Sequence, residues 1–115
     1  MSRIKGKHSE DEACTILKKL DFKIINRNYF THYGEIDIIA QKAGVIHIIE
    51  VKSTYGEYNP AQNFHKVKLG RLITSTKIYC YKEGVSIDSI QIDLLLLNKH
   101  KRVARLVEHA NLFFH

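Results

Sequence analysis

The fold of this chain is decided between Gly34 and Ser53, where the sequence is GEIDIIAQKAGVIHIIEVKS. Two runs rich in isoleucine and valine flank a short polar segment with a glycine, a pattern typical of a β-hairpin. Both runs carry charges where a buried strand is normally apolar: Glu35 and Asp37 in the first, Glu50 and Lys52 in the second. Because burying an unpaired charge is unfavourable, these side chains need a cation, a proton or an opposite charge nearby.

The alternation of side chains along a strand predicts which of these residues share a face. Glu35, Asp37 and Ile39 are expected on one face of the first strand, and Glu50 and Lys52 on one face of the second. If the two runs pair as a hairpin, Asp37 and Glu50 can lie on neighbouring strands. Adjacent carboxylates repel unless a cation lies between them, and Mg²⁺ is bound through one or two carboxylates with water and phosphate oxygens. The stretch therefore predicts a divalent-metal site, beside which Lys52 could orient water or neutralise a phosphate.

A structural interpretation of the same residues stays open, because an Asp followed by Glu-x-Lys also arises by chance. In that interpretation Glu50 and Lys52 form an exposed ion pair on an edge strand, which contributes about 0–1 kcal/mol. The apolar residues on both faces of the two runs favour buried strands instead.

The composition is that of an ordinary globular protein with a basic balance. The 115 residues suffice for a single domain, 1–115, with its own core. The net charge of +6 favours polyanionic partners such as nucleic acid. No apolar run approaches a membrane span or a signal core, so we expect a cytoplasmic protein without membrane association. Cys14 and Cys80 fall on predicted apolar helix faces without zinc-ligand spacing, and they are predicted to be buried free thiols.

A helix is predicted over 9–20, before the first strand. Ser9 and Glu12 have the spacing of a capping box at its start. Glu10 continues the apolar face of this helix and is a candidate third acid. A surface position favoured by the helix dipole is the simpler interpretation of Glu10.

The remaining elements follow from periodicity and turn residues. Strands are predicted over 22–30 and 90–97, so that the first three strands form an antiparallel meander and the last is buried on both faces. Asp93, inside the last strand, is expected to pair with a lysine. A long helix over 60–82 carries an apolar stripe. A second capping box at Asn59, Pro60 and Gln62 begins it, and Gly84 ends it.

Several basic and aromatic residues are candidates for contact with nucleic acid. Lys68 and Arg71 on the long helix could hold a DNA backbone, although a solvated helix face explains them equally. Arg27 could lie near a phosphate or contact solvent. Tyr55 and Tyr58 could stack on bases or pack on their own loop.

Taken together, these residues resemble the YraN-like family of small bacterial proteins. That family belongs by resemblance to the restriction-endonuclease-like superfamily with its PD-(D/E)XK motif, and its core is similar to that of archaeal Holliday-junction resolvases. The order and spacing of GEIDIIA and EVK make the resemblance specific. The matching residues are Gly6 with Glu10, Arg27-Asn28-Tyr29, Gly34 to Ala40, Glu50-Val51-Lys52, Lys68 with Leu72, and Asp93.

The resemblance implies an α/β fold with a restriction-endonuclease-like αβββαβ core, in which helices flank a mixed central sheet. It also implies Mg²⁺-dependent cleavage of phosphodiester bonds. The first functional hypothesis is therefore a DNA endonuclease dependent on Mg²⁺ or Mn²⁺, with a structure-specific action on branched or damaged DNA as its narrower form. Carried over to this chain, Asp37, Glu50 and the Val51 carbonyl would bind the metal. Lys52 would position water, and Glu10 would assist.

The chain departs from the family pattern in two places. Ser53-Thr54-Tyr55 stand where a basic residue is usual, and Gln62 stands where an acid is usual. A second function therefore stays open: a nucleic-acid-binding module of the same fold without cleavage activity. A third possibility is an interaction protein with a structural ion pair, in which replacing Glu50 would destabilise the fold without changing metal binding. Similar enzymes often act as symmetric dimers, so a homodimer is a further expectation.

Overall fold

A computed structural model describes the backbone of residues 2–55 and 66–110, and the side chains of 9–55 and 68–110. The chain forms a mixed α/β structure of two α-helices and five strands within these ranges. The elements in order are α1 (Ser2–Lys19), β1 (Lys23–Thr31), β2 (Gly34–Lys42), β3 (Val45–Thr54), α2 (Lys66–Glu83), a 3₁₀ turn (Ile87–Ser89), β4 (Ile90–Asn98) and β5 (Val103–Val107).

The five strands form one mixed sheet in the order β1-β2-β3-β4-β5. The pairs β1–β2, β2–β3 and β4–β5 are antiparallel, and β3 and β4 are parallel because α2 connects them. This arrangement confirms the predicted fold class, a mixed central sheet flanked by helices in the order αβββαβ, with β5 added at one edge.

Each face of the sheet is covered by one helix. Leu72 and Tyr79 of α2 belong to a core cluster with Ile48 and Leu94, on one face of the sheet. On the opposite face, α1 packs against β2, β3 and β4 in a second cluster that contains Leu17. The strand β4 contributes to both clusters, which explains why its sequence is apolar at nearly every position.

The turn between β2 and β3 confirms the predicted hairpin. Lys42 pairs with Val45, so Ala43 and Gly44 form a two-residue turn. Both turn residues have positive φ, 51° and 79°. Such angles are typical of a type I′ turn, whose twist matches that of the paired strands. The predicted buried free thiols are also confirmed: Cys14 and Cys80 are both free and buried.

The capping box predicted at the start of α1 is wrong. The helix begins at Ser2, so Ser9 and Glu12 lie within it. Their side chains make tertiary contacts instead: Ser9 Oγ lies 2.6 Å from Ser53 Oγ, and Glu12 forms an ion pair with Lys99. The spacing of a capping box also suits two polar residues one turn apart on a helix surface, so it does not fix the helix start by itself.

The partner of Asp93 is a histidine and not the expected lysine. Asp93 is fully buried, and its Oδ2 lies 2.6 Å from Nδ1 of His47 on β3. Its Oδ1 accepts hydrogen bonds from Gln91 Nε2, at 2.9 Å, and from the backbone N–H of His109, at 3.1 Å. The buried carboxyl therefore has a partner on each oxygen, as burial requires.

The end of α2 agrees with the prediction. Gly84 has a φ of 67°, and the N–H of Val85 bonds to the Cys80 carbonyl at 2.9 Å, which is a Schellman-type stop. The predicted capping residues Asn59, Pro60 and Gln62 lie outside the described residues, as does Tyr58. Neither described helix is long and apolar enough to cross a membrane.

Two leucines near the end of α1 give a direct test of this packing. Leu17 is fully buried, whereas Leu20 is 42% exposed. We expect Leu17→Ala to lower the free energy of unfolding by about 2–5 kcal/mol because it leaves a cavity under the sheet. Leu20→Ala, the control, should lower it by less than about 1 kcal/mol. Urea denaturation measures both, and equal losses would contradict this placement of α1.

Candidate metal centre

The alternation of side chains along β2 breaks at Asp37. Ile36 packs in the α2-side cluster and Ile38 in the α1-side cluster, although residues two apart normally share a face. Glu35 lies beside Glu10 of α1, whereas Ile39 packs towards α2. The expected common face of Glu35 and Ile39 is therefore wrong, because β2 separates from β3 at this point and pairs with it only from Ile38 onwards.

The side chain of Asp37 accepts a hydrogen bond from β3 at a position where β3 lacks a backbone partner on β2. Extending the β2–β3 register would pair Ile36 with Val51, but these residues are not paired. The Val51 N–H donates instead to Asp37 Oδ2, at 2.8 Å. Burial, and secondarily the adjacent Glu50 carboxyl, raise the pKa of Asp37 from 3.8 to about 9. Asp37 and Glu50 are thus neighbours, as the hairpin predicted, and without a cation this pair of carboxyls holds a proton at neutral pH.

Three carboxyl groups converge at the break. Glu10, Glu35 and Asp37 each offer an oxygen within 4.8 Å of the others. Asn28 connects two of them: its Nδ2 donates to Glu10 Oε1 at 2.6 Å and to Glu35 Oε1 at 2.7 Å. Burial raises the pKa of Glu10, the Asn28 hydrogen bond opposes that shift, and Glu35 adds to it. Glu10 is only 8% exposed, so the simpler interpretation of it as a surface residue is wrong.

Two lysines approach the fourth acid, Glu50. Glu50 is 5% exposed, and its Oε2 lies 2.8 Å from Lys68 Nζ and 3.9 Å from Lys52 Nζ. Its carboxylate therefore contacts Asp37 on one side and α2 on the other. Lys68, expected on the helix surface, lies within the acidic site. This contact was missed because sequence spacing does not show which side chains α2 presents to β3.

A cleft of about 350 Å³ opens beside these acids. Arg71 lines it and is exposed, which leaves its guanidinium accessible to a ligand. Arg27 lies elsewhere: its Nη2 contacts Asp11 of α1 at 2.6 Å. The residues that line the cleft are Tyr33, Gly34, Glu35, Glu50, Lys68, Arg71 and Leu72.

The fold thus brings the four predicted catalytic residues, Glu10, Asp37, Glu50 and Lys52, to one end of the sheet, although their roles stay predictions. Prediction from sequence missed the connecting role of Asn28, which links Glu10 to Glu35. The available signal in the sequence was the position of this asparagine, at a point where the pattern of the first strand is interrupted. Its φ of 53° is a conformation that asparagine tolerates better than most residues.

The fold and the site define a class of protein: a mixed-sheet α/β protein with an acidic cluster, two lysines near Glu50, and an adjacent cleft between the sheet and α2. The chain belongs to the uncharacterised protein family UPF0102, whose model matches residues 9–97. This membership confirms the YraN-like resemblance at the level of the family.

Relatives in several bacteria cover most of this chain. A UPF0102 protein of Campylobacter jejuni strain 81-176 is 42% identical over 88 residues, which are 76% of this chain and 78% of the relative. One from Wolinella succinogenes is 41% identical over 97 residues, 84% of this chain and 88% of the relative. One from Campylobacter concisus is 38% identical over 108 residues, 93% of each chain.

The raised pKa of Asp37 predicts a pH-dependent stability. Between about pH 4 and pH 9 the folded state holds a proton that the unfolded state has lost, so stability falls as pH rises. The slope for one proton is at most about 1.4 kcal/mol per pH unit. Asp37→Asn removes this proton while its amide oxygen can still accept from Val51 N–H. Denaturation in EDTA from pH 5 to 8 should show the wild type losing more stability than the variant. Parallel curves would contradict the raised pKa.

Proposed function

We propose that this protein is a metal-dependent DNA endonuclease of the PD-(D/E)XK type that hydrolyses phosphodiester bonds, with a preference for a DNA structure such as a branch or a damaged site. The observation that supports it most is the convergence of Glu10, Glu35 and Asp37 in one cluster, of which Glu35 also lines the cleft. The adjacent Asp37–Glu50 pair and the lysine of the EVK segment support it further.

The donor set fits Mg²⁺ or Mn²⁺. Every candidate ligand is a hard oxygen donor, and among the described residues no cysteine or histidine joins the cluster. Asp37, Glu50 and the Val51 carbonyl are the proposed ligands, and Glu10 and Glu35 are placed to complete the shell directly or through water. A divalent ion bound there would polarise the scissile phosphate and lower the pKa of the attacking water.

The basic residues have separate proposed roles. Lys52, whose side chain is 27% exposed and whose Nζ lies 3.9 Å from Glu50, would orient the attacking water or neutralise the developing charge on the phosphate. Lys68 and Arg71 line the cleft and would hold the DNA backbone. Arg27, held by Asp11, is proposed only as a contact of the flanking backbone. We further propose that the protein is cytoplasmic, acts on DNA and does not associate with membranes. A homodimer would allow both DNA strands to be cut together.

One observation favours the second candidate function, a nucleic-acid-binding module of the same fold that does not cleave. Lys68 already neutralises Glu50 at 2.8 Å, so part of the acidic site is balanced without a metal ion. The segment after Lys52 also lacks the basic residue that is usual in the family. Cleavage assays separate the two functions directly.

Metal binding can be tested with two neighbouring acids of α1. Glu10 belongs to the buried cluster, whereas Asp11 is exposed and contacts Arg27. We expect Glu10→Gln to weaken Mn²⁺ binding by about 10- to 100-fold and Asp11→Asn to leave it nearly unchanged. Wild-type binding should strengthen from pH 7 to pH 9, because the ion must displace the Asp37 proton. Calorimetric titration measures both effects, and equal affinities in the two variants would argue against this site.

Cleavage can be tested with single-stranded, duplex, flap and four-way-junction DNA in Mg²⁺ and in Mn²⁺. Lys52→Ala should lower the cleavage rate by about 100-fold or more, because it removes the charge next to the reacting phosphate. Lys77→Ala is the control, since Lys77 is an exposed residue of α2 outside the cleft lining. Circular dichroism checks the folding of both variants.

Two outcomes of the cleavage assay would count against the nuclease proposal. Cutting that persists in folded Lys52→Ala would assign the activity elsewhere. Salt-sensitive binding of DNA without any cutting would favour the binding module.

A further inference from the structure

The turn between β1 and β2 is fixed to α2 through Thr31. Its Oγ1 donates to the Gly34 carbonyl at 2.9 Å and accepts from the N–H of Tyr33 at 3.1 Å. It also lies 2.7 Å from Oγ of the fully buried Ser75 on α2. If Ser75 donates, the one hydrogen and two lone pairs of the Thr31 hydroxyl satisfy all three contacts. The turn is therefore held by three hydrogen bonds at one atom.

This fixed turn presents Tyr33 to the cleft. Tyr33 lines the cleft while remaining 56% exposed. The next residue, Gly34, has a φ of 147°, a conformation that side chains rarely adopt, so the backbone at the cleft edge suits glycine. A large aromatic side chain left this exposed on an anchored turn contributes little to the core, and its ring is available to a ligand.

The other lining residues determine what such a ligand must be. Lys68, whose side chain is 37% exposed, and the exposed Arg71 supply positive charge. The cleft also borders the acidic cluster through Glu35 and Glu50. A ligand that contacts all of these groups would have a planar ring that stacks on Tyr33 and an anionic group that binds Lys68 and Arg71. The volume of about 350 Å³ lies at the small-molecule end of binding pockets and suits one nucleotide unit rather than a duplex.

We infer that the cleft binds one unpaired nucleotide of DNA, whose base stacks on Tyr33 and whose phosphate contacts Lys68 and Arg71. The inference rests on the proposed function for the identity of the ligand as DNA. In a duplex, neighbouring base pairs cover both faces of each base, so a base reaches Tyr33 only when it is unstacked. The preferred substrates are thus single-stranded segments, flaps and loops, which expose such bases at no unpairing cost.

The test measures the binding of a fluorescein-labelled 12-mer of oligo(dT) and of a 12-base-pair duplex by anisotropy. Ca²⁺ replaces Mg²⁺, and a gel checks that the DNA stays intact. We expect the wild type to bind the single strand about 10-fold or more tightly than the duplex. Tyr33→Ala should weaken single-strand binding by about 5- to 100-fold, the range for losing one stacked base. Tyr33→Phe keeps the ring and should bind within about 2-fold of the wild type.

Tyr81→Ala is the matched control, because Tyr81 is 90% exposed on α2 and lies outside the cleft lining. Equal binding of duplex and single strand, no binding of either, or equal losses in Tyr33→Ala and Tyr81→Ala would overturn the inference. The cleavage assay is independent of this result. Tyr33-dependent binding without any cutting would sustain this inference while removing the nuclease proposal. DNA cutting together with binding that Tyr33→Ala does not weaken would overturn this inference while sustaining the nuclease proposal.

Discussion

The hydrogen bond from Val51 N–H to Asp37 is the interaction on which the candidate site depends. It forms where β2 leaves β3, and it lets a carboxyl replace a backbone partner in the middle of the sheet. Because the strands separate there, Asp37 lies next to Glu10 and Glu35 and also next to Glu50, which contacts Lys68 of α2. If the regular pairing of β2 with β3 continued beyond Ile38, the Val51 N–H would bond to the backbone of β2. The acids would then lie on the alternating faces of a regular strand.

Two buried carboxyl groups of the protein, Asp93 and Asp37, differ in their hydrogen-bond partners. Asp93 is fully enclosed and has a complete set of partners, with His47 on one oxygen and two donors on the other. Burial and the adjacent Glu50 carboxyl raise the pKa of Asp37, and its single backbone donor, the Val51 N–H, only partly opposes that shift. A buried acid whose oxygens are both hydrogen-bonded is typical of structural support, whereas an acid whose pKa is strongly raised by burial and by a second carboxyl is typical of functional sites. The contrast supports a structural role for Asp93 and a functional role for Asp37.

Both helices contribute to the site as well as to the core. The helix α1 contributes Glu10 to the acidic cluster, and its Leu17 packs against one face of the sheet. The helix α2 contributes Lys68, and its Leu72 and Tyr79 pack against the opposite face. Positions fixed by close packing hold the charged groups in place, which is what a binding site for a cation or a phosphate requires.

The sequence by itself determined the hairpin, the largely apolar β4 and the stop of α2, because these depend on local periodicity and on glycines at positive φ. It also indicated that Asp37 lies next to Glu50, because a short turn between the two strands fixes which of their residues face each other. Only the tertiary structure decided that Asp93 pairs with His47, that Asn28 joins Glu10 to Glu35, and that the alternation breaks at Asp37. These contacts join residues from separate elements or depend on a backbone irregularity, and neither spacing nor propensity encodes how two elements approach each other.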